Sequence, residues 1–208
     1  MRGSFYGMAV VGIVAIGAVH VGLAYAIGGA MSERLVAREG ELLEDLIATI
    51  VSAEGGAAAV LAAPAPSPIL VALTREPDLR AATIRANIYS PDGFIRASSD
   101  PNLVGLQFAG NDELAESLSG HTIARLETLG DKDEQIALKH YDRGEVIEVY
   151  VPISHAGKTA AVVEFYRRPE PVLAAVAEIR AAVAVAAVIS AGIYLAGLLT
   201  ALRRRQAA

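Results

Sequence analysis

The sequence of 208 residues contains no cysteine. This absence excludes disulfide bonds, thiolate zinc sites, cysteine-ligated iron–sulfur clusters and a cysteine nucleophile. Aromatic residues are scarce at 5%, although 53% of the residues are hydrophobic. The apolar content therefore comes mainly from alanine, valine, isoleucine and leucine, a composition typical of membrane proteins.

An excess of positive charge is also missing. The chain has 18 lysines and arginines against 23 aspartates and glutamates, which gives a formal net charge of −5. A nucleic-acid-binding protein needs a basic surface to neutralise phosphates. We therefore expect no nucleic-acid partner.

Common catalytic motifs are absent as well. The sequence has no GxxxxGK[ST] phosphate loop, HExxH pair or GxSxG elbow, so we predict that the protein is not an enzyme and has no cofactor. The spacing of His121, His140 and His155 fits no zinc pattern, and no metal site is expected. Three carboxylates at strand positions are expected to lie on solvated strand faces: Glu145, Glu148 and Glu164.

Two long apolar runs are present, at residues 5–31 and 181–202. Only His20 is strongly polar in the first run, and only Ser190 and Thr200 interrupt the second. About 20 helical residues cross a hydrocarbon core of about 30 Å, so both runs are predicted to be transmembrane helices in a lipid bilayer. A cleaved signal peptide is the alternative for the first run, but its apolar stretch would be only about 7–15 residues long. We therefore favour an uncleaved anchor.

The charges that flank the two spans predict their orientation. Arg2 lies before the first span and Arg203, Arg204 and Arg205 follow the second, with no acidic residue beside them. Because short cytoplasmic ends carry an excess of lysine and arginine, we expect both termini in the cytoplasm. The central segment would then lie in the periplasm, with the chain held in the inner membrane of a bacterium.

The segment between the spans begins with a helical pattern. Apolar residues recur at helical spacing at Leu43, Leu46, Ile47 and Ile50, so an amphipathic helix is predicted to continue out of the membrane to about residue 63. The predicted organisation is a first transmembrane helix at residues 1–31, an extracytoplasmic domain at 32–172, and a second transmembrane helix with a basic end at 173–208.

Beyond a short helical piece at residues 69–80, the period changes to two. Residues 84–89 and 94–98 flank a Pro-Asp-Gly turn and predict a hairpin. Asn111 is placed to cap a short helix that ends at Gly120. Further strands are predicted at residues 121–128, 135–141, 145–153 and 159–166, followed by a helix from about residue 172 into the second span.

Several segments resemble a known family. Residues 88–95 (IYSPDGFI) are similar to the first hairpin, and residues 98–105 (SSDPNLVG) to the following segment, of single-Cache, PAS-like sensor domains. Residues 148–153 (EVYVPI) and 163–166 (VEFY) are similar to later strands of these domains in sensor histidine kinases and diguanylate cyclases. The resemblance covers about residues 32–172.

This resemblance implies an α+β fold, in which a long N-terminal helix packs on an antiparallel PAS/Cache-like sheet of about five strands. It implies a periplasmic sensor that acts in signal transduction, such as a two-component system, as a homodimer through its transmembrane and juxtamembrane helices. In such receptors the second span leads into a HAMP, kinase or cyclase module. None lies within these residues, so either the transmitter lies on another chain or has been cut off, or the protein is not a conventional receptor.

The resemblance also suggests residues that contact a small-molecule ligand on one face of the sheet. Arginine suits a carboxylate through its two-pronged donors, and tyrosine adds an apolar wall with a polar tip. A carboxylate or an amino acid is the expected ligand. The alternative is that these side chains are exposed strand residues or cross-strand charge pairs. The candidate ligand-binding residues are Arg96, His121, Arg125, Lys139, Tyr141 and Tyr150.

Two further alternatives stay open at this point. His20 is either a neutral imidazole hydrogen-bonded to a neighbouring helix or its own preceding turn, or a haem-type ligand or proton sensor. The whole chain is either a ligand sensor or an accessory or structural subunit of a larger membrane complex, with the Cache-like domain as its docking surface. Stoichiometric partners in native membranes would favour the subunit.

Overall fold

A computed structural model describes residues 2–108, 111–129 and 144–207. The chain divides into two compact units. One unit is Met1–Glu33 together with Pro171–Ala208, and the other is Arg34–Glu170. The predicted strand at residues 135–141 lies outside the described residues.

The N-terminal helix α1 comprises Arg2–Ala53 and is followed by a short helix α2, Ala57–Ala62. Val36, Leu43 and Ile47 are buried on one side of α1, as the helical spacing predicts. The prediction that this helix reaches residue 63 is wrong. Gly55 and Gly56 have φ values of 87° and 107°, and this left-handed conformation ends α1 before α2 begins.

The predicted helical piece at residues 69–80 is two helices. They are α3, Pro68–Arg75, and α4, Pro77–Ala82, each with a proline in its first turn. Proline is tolerated there because the first helical N–H groups lack an intrahelical acceptor. Pro77 therefore ends one helix and starts the next.

The sheet has five antiparallel strands in the order β2-β1-β5-β4-β3. Their bounds are β1 Thr83–Tyr89, β2 Ile95–Ser98, β3 Ile123–Thr128, β4 Glu145–His155 and β5 Lys158–Arg167. Helix α5, Asp112–Leu118, lies between β2 and β3 in the chain, and α6 comprises Glu170–Ala207. The predicted α+β class, with a long N-terminal helix and a five-stranded antiparallel sheet, is confirmed.

The two faces of the sheet differ in chemistry. The face that includes Ala86, Val149 and Phe165 is apolar and fully buried, and α1 approaches it where Gly40 meets Ala124. On the opposite face, Leu114 of α5 packs into a cluster of buried side chains. We call the first the helix face and the second the polar face, because buried polar side chains run across it.

Both α1 and α6 are long and apolar enough to cross a membrane. Within one compact unit, the N-terminal part of α1 contacts α6, and the two helices run antiparallel. The Tyr194 hydroxyl donates to the Met8 carbonyl at 2.7 Å, and a Cβ atom added at Gly12 would collide with the Tyr194 ring. At the other end Gly28 faces Val176. Close approach at glycine is typical of packed membrane helices.

His20 lies between these contacts. Its Nδ1 is 2.8 Å from the Ile16 carbonyl, and its Nε2 is 3.5 Å from the Ser190 hydroxyl. A carbonyl only accepts, so Nδ1 carries the proton and donates, which leaves Nε2 as the acceptor. This arrangement matches the predicted imidazole that is hydrogen-bonded to its own preceding turn.

Candidate functional site

A row of hydrogen-bonded polar side chains crosses the polar face. Asn87, Glu164 and Tyr150 are direct neighbours on β1, β5 and β4. One oxygen of Glu164, Oε2, accepts from Asn87 Nδ2 at 2.6 Å and from the Tyr89 hydroxyl at 3.2 Å. Its other oxygen, Oε1, accepts from the Tyr150 hydroxyl at 2.6 Å. A fully buried carboxylate is thus satisfied by three donors.

The same row continues to the helix that covers it. Asn111 Nδ2 donates to the Tyr150 hydroxyl at 3.1 Å, while Asn111 Oδ1 accepts from the backbone N–H of Leu114 at 2.7 Å. Asn111 is therefore the N-cap of α5, as predicted, and also a link from that cap to the sheet. A change at Glu164 can reach α5 through two hydrogen bonds.

A second row lies beside the first on the polar face. Arg85, Tyr166, Glu148 and Arg125 are neighbours in register on β1, β5, β4 and β3. Arg85 and Glu148 are only 3% and 1% exposed, and the Arg85 guanidinium stacks 4.3 Å from the centroid of the Tyr166 ring. Within the residues that the structure describes, the buried Tyr166 hydroxyl has no hydrogen-bond partner.

The tyrosines of these rows are held in the protonated form. Burial raises the pKa of the Tyr150 hydroxyl well above its usual range, and the nearby charge of Glu164 raises it further. Burial also raises the pKa of Tyr166, with Glu164 and Glu148 adding to the effect. Tyr150 therefore remains a donor to Glu164 at neutral pH.

Arg125 lies at the edge of the polar face, where it is neutralised by α5. Its guanidinium forms ion pairs with Glu113 at 3.1 Å and Glu116 at 3.0 Å, and 46% of its side chain is exposed. The exposed His121 makes a contact of 3.0 Å with the Ser119 hydroxyl. The two ion pairs of Arg125 join β3 to α5, and the His121 contact lies in the segment between these elements.

Arg96 lies in a different place, beside a cavity of about 410 Å³. The cavity is bounded by α2, by the β1–β2 hairpin and by the beginning of β5, and its lining includes Ile88 and Ala161. Ile88 is out of phase with Asn87 along β1, so its side chain lies on the helix-face side of the strand, and Tyr89 at the end of β1 also lines the cavity.

A cluster of polar side chains joins the end of β5 to α1. Both Nε and Nη2 of Arg167 donate to Glu39 Oε2, at 3.2 and 3.0 Å, and Arg167 Nη1 donates to the Thr83 hydroxyl at 2.9 Å. The Arg167 side chain is 10% exposed. We call these three residues the clamp. They connect α1, the start of β1 and a residue that comes shortly before α6.

The candidate ligand residues are therefore dispersed. Arg96 lines a cavity towards the helix face, Tyr150 is buried in the polar face, and Arg125 pairs with α5. Lys139 and Tyr141 lie outside the described residues.

Sequence reasoning missed the centre of the polar row. Glu148 and Glu164 were expected on solvated faces, but both are buried because α5 and its neighbouring segment cover the second side of the sheet. The available signal was Asn87, a polar residue in a strand whose other side is fully apolar.

Three solved structures illustrate what the fold is similar to. The periplasmic domain of RsbU from Chlamydia trachomatis aligns with a TM-score of 0.53 and 13% identity, over 85% of this chain and 59% of that domain. The chain shares the fold of that domain, of which it covers less than two thirds. The predicted fold is thereby confirmed.

Two other structures align more weakly. The sensor domain of the V. cholerae histidine kinase DctB has a TM-score of 0.42 and 16% identity, over 69% of this chain and 54% of that one. The extracellular domain of rpHK1S-Z16 has a TM-score of 0.43 and 13% identity, over 70% and 56%. No family profile and no curated protein match the sequence.

Proposed function

We propose that this protein is a membrane-anchored extracytoplasmic sensor, which binds a small ligand and transmits the change through its two membrane helices. The observation that carries the proposal is the clamp of Glu39, Arg167 and Thr83. It joins α1 to the last strand three residues before α6 begins at Glu170. A movement of β5 relative to α1 must therefore strain or break this clamp.

The proposed mechanism needs two arrangements of the sheet domain with different affinities for the ligand. A ligand that prefers one arrangement shifts the population toward it, and the clamp converts the shift into a displacement of one helix against the other. Half-buried, doubly hydrogen-bonded arginine–carboxylate pairs are strong enough to couple such elements.

The lack of cysteine makes this coupling measurable without a ligand. We would introduce the pair Gly28→Cys and Val176→Cys, whose side chains face each other, and follow disulfide formation in native membranes. Glu39→Gln should change the cross-linking rate severalfold, a coupling of the size common between linked sites. The matched control is Glu41→Gln, two residues along α1, which removes only an exposed pair with Arg38. Equal rates in Glu39→Gln and the parent would overturn the proposed transmission.

The proposed orientation places both termini in the cytoplasm. Alkaline phosphatase fused near Gly130 should then be active, and a fusion at Ala208 should be inactive. The reverse pattern would overturn the orientation and, with it, a periplasmic ligand.

One observation favours a second candidate, a docking subunit of a membrane complex. Phe94, Val104 and Leu106 are 37%, 49% and 44% exposed, and they lie on adjacent segments joined by the Ile95 N–H to Leu106 carbonyl hydrogen bond. Exposed apolar clusters are typical of protein contacts. Stoichiometric co-purification that is lost in Phe94→Ser would favour this candidate.

A further inference from the structure

We propose that the cavity beside Arg96 binds a short-chain monocarboxylate, whose carboxylate pairs with Arg96 and whose apolar tail enters the cavity. This inference rests on the proposed sensor function and names its ligand class. It also places the ligand beside Ile88 and Tyr89, at the end of β1.

The shape of the cavity fits a small apolar group. Its volume of about 410 Å³ lies at the lower end of the range for small-molecule sites. Much of the wall consists of alanine: Ala63, Ala65, Ala97, Ala160 and Ala161. Val60 and Ile88 add branched apolar surface. Short side chains on the strands and in the segment that follows α2 thus leave space that larger residues would fill.

The charge of the cavity fits one anionic group. Arg96 is the only charged residue in the lining, which lies wholly within the described residues. Its guanidinium is exposed, and no hydrogen bond or ion pair joins it to any other described side chain. Its planar donors are therefore available for two-pronged binding of a carboxylate. The Ser67 hydroxyl also lines the cavity and does not cap α3, so it can donate as well.

One acidic group lies near Arg96 outside the lining. The Ser90 hydroxyl donates to the Asp92 carboxylate, which lowers the pKa of Asp92, and attraction to Arg96 lowers it further. Asp92 thus stays ionised and competes weakly with a bound anion for Arg96. Its removal should strengthen binding.

The same lining disfavours other acids. It offers no carboxylate for the ammonium of an amino acid and no second cation for a dicarboxylate. A second charged group would lose its hydration in the apolar part of the cavity without a partner, which is costly. The site therefore selects monocarboxylates.

Four compounds with four carbons test this selectivity: butyrate, butyramide, succinate and 4-aminobutyrate. We would measure their dissociation constants for the full chain in lipid nanodiscs by saturation-transfer difference NMR, with empty nanodiscs subtracted. Butyrate should bind at least about tenfold more tightly than the other three, because a charge-assisted hydrogen bond contributes more than a neutral one. Equal binding of butyrate and butyramide would overturn the role of charge.

Three variants test the site itself. Arg96→Met should weaken butyrate binding about tenfold or more, and Asp92→Asn should strengthen it. The matched control is Arg75→Met, which removes an exposed arginine of α3 outside the cavity lining and should leave binding unchanged. Binding of butyrate that is unaffected by Arg96→Met would overturn the site.

The test separates this inference from the sensor function. If succinate or 4-aminobutyrate binds in preference to butyrate, the inferred ligand class is wrong while a sensor role stands. The proposed transmission is tested separately, and it fails if Glu39→Gln leaves cross-linking of α1 and α6 unchanged.

Discussion

The two faces of the sheet are both buried, but their burial rests on different physics. The helix face is covered by apolar contacts that are individually weak and tolerant of small changes. The polar face buries Asn87, Glu148 and Glu164, whose burial is favourable only while every donor has an acceptor. The helix face can therefore supply stability, whereas the polar face specifies one arrangement of side chains.

The Glu164 network and the Arg96 cavity are also two different kinds of site. A buried network that is already satisfied, such as that of Glu164, resists small movements because each hydrogen bond depends on the next. A cavity with a solvated arginine, such as that of Arg96, can accept a ligand without breaking internal bonds. The two sites meet at Tyr89, which lines the cavity and also donates to Glu164.

The largest effect should follow removal of the carboxylate at the centre of the polar face. Glu164→Ala removes the carboxylate that accepts from Asn87, Tyr89 and Tyr150. We expect a loss of about 3–5 kcal/mol in the free energy of unfolding, because the loss of a buried hydrogen bond's acceptor costs about 1–3 kcal/mol. Urea unfolding of the chain in detergent, followed by near-ultraviolet circular dichroism, would measure it. The control Glu127→Ala, a half-buried residue of β3, should change stability by about 0.5 kcal/mol or less. Equal losses in the two variants would contradict the network.

A smaller effect should distinguish the two tyrosines of the polar face. Tyr150→Phe removes both the donor to Glu164 and the acceptor of Asn111, so stability should fall by about 1–3 kcal/mol. Tyr166→Phe makes the same chemical change where the hydroxyl has no partner among the described residues, and it should be neutral or slightly stabilising. A comparable loss of stability in both variants would contradict the predicted difference between the two hydroxyl groups.

The last predicted effect is a loss of stability in alkali that depends on the hydroxyl groups of Tyr150 and Tyr166. The effect is smallest at neutral pH and grows as the pH rises. An unfolded tyrosine loses its proton near pH 10, whereas the raised pKa values keep Tyr150 and Tyr166 protonated in the folded state. Above about pH 10 the unfolded state therefore binds fewer protons, and the free energy of unfolding should fall by about 1.4 kcal/mol per pH unit for each tyrosine. The contribution of these two hydroxyl groups to the free energy of unfolding is fully present below pH 10. The double variant Tyr150→Phe with Tyr166→Phe should show a shallower alkaline loss than the parent, and an equal slope would contradict the assignment.

Local features of the fold could be predicted because they depend on neighbouring residues. The hairpin around Pro91-Asp92-Gly93, the Asn111 cap and the left-handed Gly120 all follow from rules that act within a few positions. The alternation of β1 also predicts that Ala86 and Asn87 point to opposite faces. It does not predict which face is covered.

The candidate site was harder to predict because it depends on strand order. Glu164 meets Asn87 and Tyr150 only because β5 lies between β1 and β4, and no local pattern specifies that pairing. The same reason applies to the clamp, in which Glu39 and Arg167 are separated by 128 positions in the sequence. The resemblance of the strands to a known family gave the fold, but not these pairings.

The position of β5 has a consequence for the synthesis of the chain. The strand made last occupies the middle of the sheet, so the hairpin of β1 with β2 and the pair of β3 with β4 cannot meet until it arrives. Until residues 158–167 emerge from the ribosome, neither β1 nor β4 has β5 as its neighbour. The ion pair of Glu39 with Arg167 cannot form before then. Folding of this domain is therefore completed late, at the moment when α6 is itself being made.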